Sequence, residues 1–134
     1  MKLIFGGYIS GADGSRNQLG PLVDPDDEAV KKTVTLVAGN TGVLGLRHDP
    51  TPKSGPCELI LYAENGRLLL MLNEHAVDGE HNTRTLTDNS LPNKLVSILG
   101  EMYPAKAVTN DLKLACRMFR EFAHSGTVAN GSLT

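Results

Sequence analysis

The order of apolar and polar residues along the chain predicts a series of strands interrupted by two helices. Residues 2–9 predict an opening strand, and residues 10–21, which are rich in Gly, Asn, Asp and Ser, predict a loop. Residues 43–47 predict a short strand. Three prolines and a glycine within residues 48–56 predict a rigid loop after it.

The first predicted helix begins at Asp24. Asp24 suits the N-cap, Pro25 suits the first helical position, and the acidic residues that follow favour the positive end of the helix dipole. Small and apolar residues then recur at helical spacing from Ala29 to Ala38. We expect Gly39-Asn40 to end this helix by supplying a left-handed residue.

The clearest motif is a β-hairpin. Two apolar segments, residues 57–63 and 67–73, flank Glu64-Asn65-Gly66. Asn-Gly readily supplies the two positive φ angles of a type I′ turn. The second segment contains consecutive apolar residues at positions 68–72, which predicts a central strand covered on both faces.

The chain after this hairpin alternates between polar and apolar segments. Residues 74–82 predict a polar loop, and residues 83–87 predict a strand with Arg84 and Leu86 on one face. Residues 95–99 predict a further short strand, closed by a glycine.

The longer predicted helix covers Asn110 to His124. Thr109 or Asn110 suits its N-cap, and Gly126 follows its end. One apolar stripe recurs at helical spacing, formed by Leu112, Ala115, Cys116, Phe119, Phe122 and Ala123. The whole order predicts a single α+β domain over residues 1–134, with a largely antiparallel sheet, two main helices packed on it and a flexible tail over Ala129 to Thr134.

Composition excludes several functional classes. The net charge of −2 argues against a nucleic-acid binder, and the chain has no Trp to stack on bases. Cys57 and Cys116 do not form a disulfide framework, and we expect both to be reduced. No N-terminal signal or membrane-spanning segment is predicted, so we expect a cytoplasmic protein without membrane contact.

Motifs that carry chemistry are missing from the sequence. The chain contains no Gly-x-Ser-x-Gly nucleophile motif, and the glycine-rich segments 11–14 and 39–42 lack the Lys-Ser/Thr pair of a phosphate-binding loop. We therefore expect no enzymatic activity, no catalytic residues and no cofactor.

The densest polar cluster runs from Glu74 to His81 and contains two histidines and three carboxylates. Such a segment is typical of a solvated loop, and it also suits a loop that presents negative charge to a basic protein surface. An alternative is a small metal-binding or hydrolytic enzyme centred on His75, Asp78 and His81. The spacing matches no common metal-ligand pattern, which favours protein binding.

Several segments resemble the bacterial immunity proteins of contact-dependent growth inhibition and related polymorphic toxin systems. The matching segments are Gly6-Gly7-Tyr8, the hairpin from Leu59 to Gly66, Thr83-Arg84-Thr85, Ile98-Leu99-Gly100-Glu101, Val108 with Asp111, Phe119-x-Glu121-Phe122 and Gly126-x-Val128. The resemblance implies binding to the C-terminal toxin domain of a surface effector. Such toxins are commonly nucleases, often cleaving transfer RNA, and their basic surfaces suit a slightly acidic partner.

Within this hypothesis, charged and histidine side chains are the predicted toxin contacts. The main patch is predicted to contain Glu74, His75, Asp78, Glu80, His81 and Arg84, with Asp13 and Arg16 as a second patch. The sequence leaves open which toxin is bound, how it is inhibited and whether the chain forms a homodimer.

Overall fold

The protein folds as an antiparallel sheet with two helices on one face. The computed structural model describes residues 2–129 and 132–134. The strands are β1 (Lys2–Ser10), β2 (Arg16–Val23), β3 (Thr41–Asp49), β4 (Gly55–Glu64), β5 (Arg67–His75), β6 (His81–Thr85), β7 (Leu95–Ile98), β8 (Glu101–Pro104) and β9 (Val108–Thr109). The helices are α1 (Asp27–Ala38) and α2 (Leu112–Ser125), with a short 3₁₀ helix at Ala105–Ala107.

The main sheet has the strand order β2-β1-β3-β4-β5-β6, and β9 pairs with part of β5. Every neighbouring pair is antiparallel, and β7 pairs with β8 as a separate hairpin. This arrangement confirms the predicted α+β class. Neither α1 nor α2, the two α-helices of the described residues, has the length and apolar composition needed to cross a membrane.

Strand β5 is covered on both faces, as its apolar run predicts. Leu68, Leu70 and Leu72 point into the core beneath the two helices. Leu69 lies on the opposite face and packs against Ile98 and Ala107, near the β7–β8 hairpin. Because successive side chains of a strand point to opposite faces, only a strand buried on both sides needs such an uninterrupted apolar run.

The β4–β5 hairpin also has the predicted turn. Asn65 and Gly66 have φ angles of 51° and 77°, the left-handed conformations that a two-residue turn requires. Strand β3 continues to Asp49 and β4 begins at Gly55, so the connecting loop covers residues 50–54 and is shorter than the predicted loop over residues 48–56.

Helix α2 buries Ala115, Met118, Phe119 and Phe122. Leu112 belongs to the predicted stripe but lies at the first turn and is 36% exposed. The N-cap is Asp111, one residue later than predicted, because its carboxylate accepts a hydrogen bond from a backbone N–H of the first turn. Five of the six predicted stripe positions lie in the core or border it, and Met118, which the predicted stripe omits, is also buried.

Helix α1 begins two residues later than predicted. Asp26 is its N-cap and accepts a hydrogen bond from Ala29 N at 2.8 Å. Asp24 instead has a φ of 48° and accepts a hydrogen bond from Leu3 N at 2.9 Å. Both residues are chemically suited to capping, and Asp24 is used to fix the entry to the helix against β1.

The end of α1 differs from the expected left-handed cap. Gly39 has a φ of −83°, and its N–H donates to Thr35 O at 3.1 Å. The Asn40 side chain donates to Leu36 O at 2.8 Å. These bonds satisfy carbonyl groups at the helix end without a left-handed residue.

Three strands, β2, β8 and β9, lie where no strand was predicted. Strand β2 occupies the second half of the predicted loop over residues 10–21, β8 follows β7 after a tight turn, and β9 precedes α2. Strand β2 forms one edge of the sheet and is largely exposed, and its apolar residues Leu22 and Val23 are exposed with the rest. Its pairing with β1 is interrupted by a bulge opposite Gly6.

The C-terminal residues that the structure describes are packed on the domain, which corrects the expected flexible tail. Leu133 is buried in the main core. Thr134 exchanges two backbone hydrogen bonds with Thr85, of 3.2 and 2.9 Å. Residues 130 and 131, which also belong to the predicted tail, lie outside the described residues.

We expect Gly126→Ala to destabilise the protein by more than about 1 kcal/mol. Gly126 caps α2 with a φ of 76°, and an added Cβ would lie 2.7 Å from the His48 ring. Urea denaturation measures the loss. The matched control is Gly14→Ala, where φ is 83° and the added Cβ meets open space. Equal losses in the two variants would contradict the proposed clash with His48.

Candidate functional site

The turn between β5 and β6, residues 76–80, is a compact and ordered element. Ala76 N donates to Glu80 O at 2.8 Å, and Gly79 N donates to Ala76 O at 2.9 Å. Strands β5 and β6 reach His75 and His81, so both ends of the predicted polar loop over residues 74–82 are strand and only residues 76–80 form the turn. The hydrogen bonds fix the turn backbone before any partner binds.

Val77 is the apolar tip of this turn and is 97% exposed. Asp78 and Glu80 follow it and are also exposed. The Asp78 carboxylate accepts a hydrogen bond from Glu80 N at 2.9 Å, which orients it. Among the described residues, neither carboxylate has a cationic side chain within salt-bridge distance. The turn therefore presents one aliphatic side chain beside two uncompensated negative charges.

Glu74 and Arg84, two further predicted contacts, are bonded to each other. Arg84 Nε donates to Glu74 Oε1 at 2.7 Å, and the Glu74 side chain is 14% exposed against 45% for Arg84. Both side chains lie on the sheet face that carries the helices, because Arg84 is opposite Leu72 and Glu74 is two residues beyond Leu72 on β5. This ion pair fixes β5 to β6, and it leaves little of Glu74 available to a partner.

His75 and His81 face each other across β5 and β6, with ring centroids 5.4 Å apart. His75 Nδ1 lies 3.2 Å from Pro52 O, which connects β5 to the loop before β4. Within residues 2–129 and 132–134, no three His, Cys, Asp or Glu side chains are grouped so that they could hold a metal ion. The hypothesis of a metal centre on His75, Asp78 and His81 therefore gains no support from the described geometry.

The second predicted patch lies at the opposite edge of the sheet. The Ser15 hydroxyl donates to Asp13 Oδ1 at 2.6 Å, and this hydrogen bond holds the pKa of Asp13 below its usual range. The Arg16 guanidinium lies 4.3 Å from the centre of the Tyr8 ring, a cation–π contact. Five strand spacings of about 4.8 Å separate β2 from β6, so the two patches are roughly 24 Å apart.

A third polar surface was not predicted: the sheet face turned away from α1 and α2, which we call the open face. Tyr8 and Tyr62 both lie on it, on either side of Val43. Burial raises the pKa of Tyr62, and the neighbouring Tyr103 of the β7–β8 hairpin adds to this effect. The alternation of these strands is visible in the sequence, but the sequence does not show which strands are neighbours.

Glu58 is the half-buried carboxylate of the open face. It pairs across the sheet with Arg47, and its side chain lies across the bare backbone of Gly45. Burial raises the pKa of Glu58, while the charge of Arg47 partly opposes the shift. The charged form of Glu58 is therefore less favourable in the folded than in the unfolded chain.

We expect Glu58→Gln to raise the free energy of unfolding at neutral pH. Burial raises the pKa of Glu58 in the folded chain above its unfolded value near 4.5. The stabilising contribution of the protonated carboxyl to the free energy of unfolding is therefore fully present below the unfolded pKa, and it is lost as the pH rises through the folded pKa. The gain should be small, because solvent screens a half-exposed group. Urea denaturation at pH 7 and below pH 4 measures it, with Glu80→Gln as the exposed control. A gain that is equal at both pH values would contradict this explanation.

Comparisons with known proteins identify a shared fold and a family over nearly the whole chain. No curated protein matches it. The crystal structure of a hypothetical protein from Neisseria gonorrhoeae is similar, with a TM-score of 0.85, 24% sequence identity, and coverage of 96% of this chain and 91% of that chain. At this identity, the similarity shows a shared fold. The family of unknown function DUF6911 matches residues 2–132, and the chain therefore belongs to this family.

Proposed function

We propose that the protein is an immunity protein that acts in the cytoplasm. It binds the toxin domain of a contact-dependent growth inhibition effector and neutralises it, protecting the cell that makes both proteins. The toxin is a nuclease, such as one that cleaves transfer RNA. The immunity protein contacts neither nucleic acid nor membrane directly, and it needs no cofactor.

The observation that carries this proposal is the projecting β5–β6 turn. Its backbone is fixed by internal hydrogen bonds, so little conformational entropy is lost when it binds. Asp78 and Glu80 have no cationic side chain bonded to them among the described residues, and they suit the phosphate-binding cations of a nuclease surface. Val77 supplies apolar area that only a partner can bury.

The other predicted contacts have different parts in this proposal. His75 and His81 flank the base of the turn on the open face. They contact the rim of the toxin surface that receives the turn. Asp13 and Arg16 lie too far away to belong to the same small patch. They contact the toxin only if it also covers the open face between β2 and β6.

Co-expression with the toxin domain tests the proposal. The gene next to that of this protein is expected to encode a large secreted effector with a toxic C-terminal domain. Expression of that domain alone should stop growth, and expression together with this protein should restore colony numbers to those of the vector control. If the toxin domain still kills cells in which this protein is abundant, the proposed function is wrong.

A further inference from the structure

A shallow apolar pocket on the outer side of the β7–β8 hairpin has no role in the function proposed above. It measures about 300 Å³, and we call it the hairpin pocket; its lining residues are Pro92, Asn93, Lys94, Leu95, Pro104 and Lys106. Leu95 is 60% exposed, and the adjacent Met102 is 56% exposed on the same face of the hairpin. The buried face of the hairpin is the other one, which includes Ile98.

Two lysines give the hairpin pocket its charge. Lys94 and Lys106 both line it, and neither forms an ion pair with any other residue that the structure describes. An apolar floor between two ammonium groups suits an aliphatic side chain that is accompanied by carboxylates. The hairpin pocket therefore fits a partner segment that carries one small apolar side chain next to two negative charges.

The β5–β6 turn of this chain has that composition. Val77 is an isolated and almost fully exposed aliphatic side chain, and Asp78 and Glu80 lie beside it without cationic partners among the described residues. We propose that a second copy of the chain inserts its β5–β6 turn into the hairpin pocket, with Asp78 and Glu80 paired to Lys94 and Lys106.

The contact must be between two copies, because the turn cannot reach the pocket of its own chain. Arg67, the first residue of β5, donates to Ser97 O at 2.9 Å, which places the β7–β8 hairpin at the beginning of β5. The turn follows His75, the last residue of β5. Eight residue steps of about 3.3 Å separate these points by roughly 26 Å.

Two copies related by a twofold axis satisfy both contacts at once. The turn of each copy enters the hairpin pocket of the other, so the assembly closes as a dimer and does not grow into a filament. The two contacts are small, which places the dimer among weak associations. If the turn also binds the toxin, dimer formation and toxin binding exclude each other; this consequence alone rests on the proposed function.

Sedimentation equilibrium of the purified chain tests the proposal without any other protein. Two reversals are compared with the wild-type chain: Asp78→Lys with Glu80→Lys in the turn, and Lys94→Glu with Lys106→Glu in the pocket. We expect a concentration-dependent dimer for the wild type and at least about tenfold weaker association for each reversal. Combining all four substitutions, or mixing the two reversed proteins, should restore association.

A matched control places the same charge change elsewhere. Lys31→Glu with Lys32→Glu alters the exposed surface of α1 and should leave association unchanged. Circular dichroism verifies that each surface variant is folded. A wild-type chain that stays monomeric at its highest soluble concentration overturns the proposal, and so does a fourfold variant that fails to recover. Neither result bears on whether the chain binds the toxin, so the dimer proposal and the toxin-binding proposal can be tested independently.

Discussion

Phe119→Ala is expected to lower the free energy of unfolding by about 3–5 kcal/mol, as is typical of truncating a fully buried phenylalanine. Phe119 is fully buried beneath the sheet and lies 5.9 Å from Phe5, measured between ring centroids. It connects α2 to β1, so its removal leaves a cavity at the centre of the main core. Urea denaturation of the wild type and the variant measures the loss.

Leu112→Ala is the control for this prediction, because Leu112 lies on the same helix and in the same predicted apolar stripe. Its side chain is partly exposed, so the expected loss is below about 1 kcal/mol. Similar losses for the two variants would contradict the assignment of the buried face of α2.

The second large effect is on binding. Asp78→Lys with Glu80→Lys is expected to weaken the complex with the toxin domain about 100-fold or more, which corresponds to a few kcal/mol. Reversing both charges replaces attraction by repulsion against a basic surface, while the turn backbone keeps its own hydrogen bonds. Surface plasmon resonance should show most of the change in the dissociation rate.

The control for the binding prediction reverses two carboxylates on other surfaces. Glu28→Lys with Glu101→Lys changes the net charge by the same amount, at the start of α1 and on β8. It should alter the affinity far less than the turn variant. If both pairs weaken binding equally, net charge and not the turn determines recognition.

Local signals explain which parts of the fold the sequence predicts. The β4–β5 hairpin depends on Asn65-Gly66, whose backbone preference is set within the turn itself. Helix α2 follows from its apolar periodicity and from Gly126, which adopts the left-handed conformation at its end. The apolar run at positions 68–72 indicates burial on both faces, because few other environments accept it.

The parts that were mispredicted depend on distant partners. Strand β2 contains a glycine and a proline and has no alternating apolar pattern, so only its pairing with β1 makes it a strand. Asp24 and Asp26 are equally good caps by composition, and the hydrogen bond from Leu3 N to Asp24 decides between them. Leu133 looks like part of a loose end until the core that receives it is known.

In the candidate site too, local sequence predicts some features, and others depend on distant residues. Asp78 and Glu80 are neighbours in the sequence and remain together in one turn, as a local segment must. Glu74 and Arg84 were grouped with them by charge alone, yet the fold pairs these two with each other. Val77 was missed because a single aliphatic residue in a polar segment gives no periodic signal, and its exposure becomes visible only in the folded turn.

Calorimetric titration of the purified chain with the purified toxin domain encoded beside it measures directly whether the β5–β6 turn binds a toxin. We expect a tight 1:1 complex whose affinity falls as salt is added, because charged groups of the turn contribute to it. The Asp78 and Glu80 reversal should remove most of that salt dependence. If the titration shows no binding, or tight binding that neither salt nor the reversal affects, the proposed role of the turn is wrong.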